Sequence, residues 1–159
     1  MYRFRETTFE LLGGVAELNF NKLSLGEDGV VQLTVVLPLC AKLTQLKLMN
    51  TQLGDKGAAA LAGAIKGSGV VKKLYLSINH IGDAGAAAFA DALRINGALQ
   101  TLFLGGNQIG DAGAAALADA LRVNGALTEL ALYSNQIGED AKSKLQEAVQ
   151  WRSGLELDL

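Results

Sequence analysis

Residues Ala84 to Leu99 read AGAAAFADALRINGAL, and residues Ala112 to Leu127 read AGAAALADALRVNGAL. The two segments are offset by 28 residues and differ only at Phe89 against Leu117 and Ile95 against Val123. A match of that length at a fixed offset is an internal repeat, and a repeat decides the fold before any local propensity does. The same offset of 28 separates Leu46, Leu74, Leu102 and Leu130, and also Leu48, Leu76, Leu104 and Leu132.

Each unit combines two periodicities. Leu102 and Leu104 alternate as in a strand, whereas Ala114, Leu117, Ala118 and Leu121 recur at helical spacing. One repeat is therefore one strand and one helix, with helices expected over about 84 to 95 and 112 to 123. Asp83 and Asp111 stand where each helix's own N-cap is expected. Asn96-Gly97 and Asn124-Gly125 supply residues that tolerate a left-handed C-cap. Strands separated by one helix run parallel, through crossovers expected to be right-handed. Strands pack about 4.8 Å apart and helices about 8 to 10 Å, so the stack must bend, with the sheet inside. The expected fold is an α/β right-handed solenoid, a horseshoe arc with a parallel β-sheet on its concave face and α-helices on its convex face.

The pattern LxxLxLxxNxIGDxGAxALAxALxxN, as in Leu99 to Asn124, resembles the 28-residue leucine-rich repeat of the ribonuclease-inhibitor class. That class also occurs in the sensor regions of NOD-like receptors and in the activating protein of the Ran GTPase. The resemblance covers Val15 to Asn135 and implies a buried asparagine ladder at Asn79, Asn107 and Asn135. An amide side chain suits that place because it can satisfy both the donors and the acceptors of a loop leaving a strand. Thr51 and Leu23 occupy the position in earlier units, so the ladder weakens toward the N-terminus. The first unit stays in register, and its helix, from about Val30 to Lys42, is shortened or kinked by Pro38.

The whole chain, 1–159, reads as a single leucine-rich repeat domain. Residues 1–14 form a cap or a loose terminus, 15–138 the repeats, and 139–159 a polar capping helix followed by a strand through Leu155, Leu157 and Leu159. Half of the 159 residues are hydrophobic and 19% charged, a composition that folds. A net charge of -2 gives no general attraction to nucleic acid or acidic membranes. No apolar run approaches the length of a membrane span and MYRFRETTFELLGG has no signal-peptide core, so the expected location is intracellular and soluble, cytoplasmic by default.

Catalytic and metal chemistry find no constellation. Cys40 is the only cysteine and His80 the only histidine; the repeat puts His80 in a turn with Gln52, Gln108 and Gln136, and Cys40 across the strand layer from it. Asp55, Asp83, Asp111 and Glu139 recur as helix caps rather than as a calcium row. The IGDAG turns lack the Lys-Ser/Thr of a phosphate loop. No catalytic residue, metal or cofactor is expected.

The strand residues that face away from the leucines are more informative. Tyr75 and Phe103 fall side by side, with Tyr133 one strand further, next to a depression at Gly105-Gly106 and flanked by Lys47, Met49, Lys73 and Glu129. Aromatics beside small residues suit a protein interface. The expectation is a non-enzymatic protein-protein interaction module, or a small subunit of a larger assembly, that binds another protein on this face. Neither nucleic acid, membrane insertion nor a small molecule is expected as its partner. Two alternatives remain: a GTPase-activating or other catalytic regulator of the Ran-activator type, and a purely structural spacer. None of the strand-to-helix turns carries the arginine that the first would supply.

Overall fold

A computed structural model describes residues 14–159. Its elements alternate as β1 (Glu17–Asn19), α1 (Gly26–Val36), a 3-10 turn (Leu37–Leu39), β2 (Gln45–Lys47), α2 (Gly54–Lys66), β3 (Lys73–Tyr75), α3 (Asp83–Leu93), β4 (Thr101–Phe103), α4 (Asp111–Leu121), β5 (Glu129–Ala131), α5 (Glu139–Val149) and β6 (Glu156–Asp158). The six strands form one sheet in chain order, parallel throughout. The repeat sets the register: Leu46, Leu74, Leu102 and Leu130 are successive partners, and the last step, Leu130 to Leu157, is one residue shorter. Helices line the opposite layer, which makes the chain a solenoid with strands inside and helices outside.

Between the layers lies one continuous core. Leu74, Leu76, Leu102, Leu104, Leu130 and Leu132 point into it from the sheet, and Ala86, Phe89, Ala90, Ala114, Leu117 and Ala118 from the helices; all are buried. Alanine at the helix contacts lets neighbouring helices approach closely, while the strand leucines and one larger residue per helix fill the space between the layers.

The strand-to-helix loops are held by amide side chains. Asn107 Oδ1 accepts the backbone N–H groups of Asn79 (2.9 Å) and Ile81 (3.1 Å), while its Nδ2 donates to the carbonyls of Leu76 (3.1 Å) and Leu104 (2.9 Å). Asn79 bonds in the same way to Thr51 and Leu53 N–H and to Leu48 and Leu76 carbonyls. Asn135 accepts from Ile109 N–H and donates to Leu104 and Leu132. Further toward the N-terminus, Thr51 is buried and reaches Leu48 O and Asn79 Oδ1, and Leu23 is exposed and contributes nothing. Beside this ladder each repeat turns through a left-handed residue at the same position, at Lys22, Asn50, Ile78, Gly106 and Ser134, with φ between 53° and 67°, and the first three repeats add others at Gly26, Gln52, Gly54 and His80.

Three local expectations need correction. The aspartates do not cap their own helices. α3 and α4 start on Gly82 and Gly110, which have no side chain to cap with, and the aspartate one repeat earlier supplies the acceptor. Asp55 Oδ1 takes the N–H of Gly82 (2.8 Å) and Gly85 (2.9 Å), and Asp83 Oδ1 those of Gly110 (2.7 Å) and Gly113 (2.8 Å). The contact requires glycine at the receiving position, since a Cβ on Gly113 would lie 2.7 Å from Asp83 Oδ1 and 2.9 Å from the Ile109 side chain. The capping therefore stitches neighbours together, with the carboxylate also on the favourable end of the helix dipole.

The helix C-termini are likewise not left-handed: Asn96, Gly97, Asn124 and Gly125 all have negative φ. Asn96 and Asn124 are instead buried, and form a second ladder. Asn124 Nδ2 donates to Leu93 O (2.7 Å) and Asn96 O (3.0 Å), and its Oδ1 accepts Ala126 and Leu127 N–H. Arg152, one period on, ends the row by donating to Asn124 O at 2.7 Å and to Leu127 O. The third correction concerns the first helix, which begins at Gly26 and stops at Val36, followed by the 3-10 turn around Pro38. Pro38 has no N–H to donate to Thr34, so the α-helix cannot continue through it. The expected N-terminal cap or loose terminus lies outside the described residues except for Gly14.

These bonds rank the effects of substitution. Asn107→Leu leaves buried backbone groups unpaired and should cost about 1 to 3 kcal/mol. Asp83→Ala removes the cap of α4 and should cost about 1 kcal/mol, and Asp140→Ala, exposed on α5, less than about 0.5 kcal/mol. Urea unfolding midpoints should fall in that order; equal shifts for all three would contradict the bonding scheme.

Candidate functional site

The concave sheet face is built from the strand residues that alternate with the leucines. Lys47, Tyr75, Phe103 and Ala131 are consecutive Cα partners on β2 to β5. Tyr75 and Phe103 meet edge to face, their centroids 5.1 Å apart at 83°. Lys47 Nζ stands 5.8 Å from the Tyr75 centroid and 2.8 Å from Glu17 Oε1, so its charge is already engaged from both sides. Lys73 is exposed, and Met49 is half-buried beside the loop, its N–H bonded to Asn21 Oδ1 at 2.8 Å. Glu129 Oε2 accepts the Thr101 hydroxyl at 3.2 Å.

The Gly105-Gly106 depression expected from sequence is filled from within. The Tyr133 ring lies where a Cβ on Gly105 would stand, and Ile78 Cγ1 is 3.1 Å from the Cβ position of Gly106. Gly105 is thus a seat for an aromatic ring, and Gly106 is glycine at a left-handed turn. Tyr75 and Phe103 are half-buried by each other, Tyr133 is 40% exposed, and Ser77, Thr101 and Ala131 lie buried beneath. The result is an aromatic band in which Tyr75 and Phe103 pair across β3 and β4 and Tyr133, two residues beyond β5, lies over Gly105. At its β5–β6 end a cavity of about 100 Å³ opens between Phe103, Tyr133, Ala131, Glu129, Glu156 and Asp158.

The other chemically suggestive residues are kept apart. Cys40 is buried, its Sγ 3.6 Å from Val36 O, and burial raises its thiol pKa. His80 is exposed, its Nδ1 3.2 Å from Gln108 Nε2. A larger cleft of about 570 Å³ lies where the Pro38 turn meets the C-terminal end of α2, but Cys40 is the one titratable side chain in its walls.

Sequence reasoning missed a second surface. Leu39, Ile95, Val123 and Trp151 are 41%, 64%, 65% and 84% exposed. They share the 28-residue register, interrupted at Gly67, along the ends of the helices. The signal was present as the Ile95–Val123 difference inside the nearly identical segments, where helical periodicity alone does not separate a core position from one just beyond the helix end.

A family model for the leucine-rich repeat matches residues 39–62, 70–90 and 99–118. The protein carries leucine-rich repeats. Among solved structures, the solenoid is similar to one titled leiomodin-1 actin-binding site 2, with 22% identity, 96% of this chain and 75% of that one covered, and a TM-score of 0.66. It is also similar to the tropomodulin C-terminal domain from Caenorhabditis elegans, with 16% identity, 91% and 90% coverage and a TM-score of 0.75. At these identities the likeness concerns the fold. No curated protein sequence matches. None of the described helices is long and apolar enough to cross a membrane.

The buried thiol gives a direct check on the repeat packing. Cys40 should react with a thiolate-specific reagent at least about tenfold more slowly in the native protein than in urea, since exclusion and the raised pKa both keep thiolate from the reagent. Native reactivity equal to that in urea would mean that the 3-10 turn does not cover it.

Proposed function

We propose that the protein is a non-enzymatic binding module, one leucine-rich repeat domain acting inside the cell, that holds another protein on its concave face. The observation that supports this best is the aromatic band: Tyr75 on β3, Phe103 on β4 and Tyr133, two residues beyond β5, present ring surface on one face at sites where the core needs none. The contact surface would comprise these three with Lys47, Met49, Lys73, Gly106 and Glu129, while Gly105 serves as the seat of the Tyr133 ring. The sheet fixes the rings before binding, so little side-chain entropy remains to be lost, and aromatic anchors of that kind dominate interface energies.

The repeat fold supports a protein as the class of partner, and the leiomodin-1 structure, by its title an actin-binding site, is one protein of similar fold with such a partner. A catalytic regulator of the Ran-activator type is less well supported. Arg94 and Arg122 stand at helix C-termini, next to Asp91 at 3.9 Å and Asp119 at 3.0 Å, and the strand-to-helix turns contain no arginine. A purely structural spacer would leave the aromatic band without a use. The exposed row ending at Trp151 favours a second reading, in which the partner lies along the helix ends instead.

Affinity capture from the native source separates these readings. Tyr75→Ala and Phe103→Ala should each weaken capture of a specific partner by about 2 kcal/mol or more, roughly 30-fold. Each should lower intrinsic stability by only about 1 kcal/mol, from the lost ring contact. Arg94→Ala, Arg122→Ala and Trp151→Ala should retain the partner. Loss with Trp151→Ala and retention with both aromatic variants would transfer the function to the helix-end surface.

A further inference from the structure

The concave face is electrically divided. Its β2–β3 side carries Lys47 and Lys73, and its β5–β6 side carries Glu129, Glu156 and Asp158; of these five only Lys47, held by Glu17, makes an ion pair among the described residues. Glu129 and Glu156 are direct Cα partners on adjacent strands, and Asp158 partners Ala131. Like charges placed directly opposite each other destabilise a sheet, and here no cation stands between them. On the other side of the sheet a charge finds its partner within the chain, because Glu17 holds Lys47 at 2.8 Å.

The cavity sits at the unsolved end. Phe103 and Tyr133 form its aromatic walls, and Glu129, Glu156 and Asp158 its charged rim. Its volume of about 100 Å³ is well below the roughly 300 Å³ at which small-molecule sites begin. It is a space for one side-chain headgroup. Aromatic walls beside carboxylates suit an organic cation that can lie on a ring face while it donates to the acids. A planar guanidinium can lie on an aromatic face while donating to more than one carboxylate, which an ammonium does less well.

We infer that the cavity between β4, β5 and β6 receives an arginine side chain of the partner protein, stacked on Phe103 and Tyr133 and bonded to Glu129 and Glu156. This rests on the reading of the concave face as the binding surface, and adds to it the chemistry and polarity of the bound segment: its basic residue lies over β5–β6, and any acidic residue it carries lies toward Lys73.

The test needs no partner. Backbone amide NMR spectra of the full chain are recorded while N-acetyl-arginine amide is added to millimolar concentration, with N-acetyl-citrulline amide as the neutral isostere. The arginine probe should shift amides around Phe103, Glu129, Tyr133 and Asp158, and the citrulline probe should not. Glu129→Gln with Glu156→Gln should weaken the arginine response roughly tenfold without lowering the urea midpoint, because it also removes the like-charge contact. Lys73→Ala should leave the response unchanged. Equal shifts with citrulline, shifts centred elsewhere, undiminished binding by the double variant, or no response at all would each overturn the assignment. Because failure here involves no partner, it is distinguishable from failure of the concave-face reading, which would appear as partner capture insensitive to Tyr75→Ala and Phe103→Ala.

Discussion

Everything in this solenoid depends on satisfying the backbone where the chain leaves the sheet. At that point the loop dips into the core, where an unpaired N–H or C=O costs about as much as a lost hydrogen bond. The Asn107 amide resolves this for two repeats at once, accepting from Asn79 and Ile81 and donating to Leu76 and Leu104. Because its partners belong to two units, the spacing between strands and the path of the loop are fixed together. A hydroxyl can do half of this, which is what Thr51 does, and an alkyl side chain none of it, which is why Leu23 is left exposed at the N-terminal end.

The other inter-repeat bonds follow the same logic of borrowing from a neighbour. Gly82 and Gly110 open their helices without a capping side chain, and Asp55 and Asp83 reach across to them. Asn124 ties its loop to Leu93 and Asn96 of the preceding unit, and Arg152 closes the row. A single repeat could not satisfy these groups alone, so the stability of each unit is largely an interface property. That coupling makes the sheet stiff, and a stiff sheet holds the Tyr75–Phe103 pair in one geometry.

Sequence periodicity made the strand-helix unit, the leucine core and the asparagine positions legible, because each follows from spacing along the chain. What it did not reveal depends on which neighbour a side chain faces. Asp83 looks like the cap of its own helix because it begins that helix, whereas its carboxylate faces the next one. Asn96-Gly97 looks like a left-handed C-cap because the dipeptide tolerates that geometry, yet Asn96 is needed for its amide. Gly105-Gly106 looks like an open depression because nothing in one repeat shows that Tyr133 from the next lies over it. The exposure of Ile95, Val123 and Trp151 escaped for a related reason: an apolar residue just past a helix end continues the helical pattern but no longer points inward.

The two exposed surfaces differ in how faithfully they repeat, and this bears on which carries specificity. Positions with a structural duty recur almost unchanged, as the near identity of Ala84 to Leu99 and Ala112 to Leu127 shows. In the helix-end row Ile95 and Val123 fall within that uniform part, an aliphatic residue replacing another, while Gly67 interrupts the row and Trp151 ends it. The concave positions do not repeat: Lys73, Tyr75 and Ser77 are followed by Thr101, Phe103 and Gly105, then by Glu129, Ala131 and Tyr133. Their side chains point away from the core, so packing places little constraint on them, and their differences produce a face with a charge at each side and rings between. A surface that is alike in every repeat offers a partner no reason to prefer one register over the next. A surface that changes from strand to strand does, and on the sheet face both the charge and the ring change at every step from Lys73–Tyr75 through Thr101–Phe103 to Glu129–Ala131.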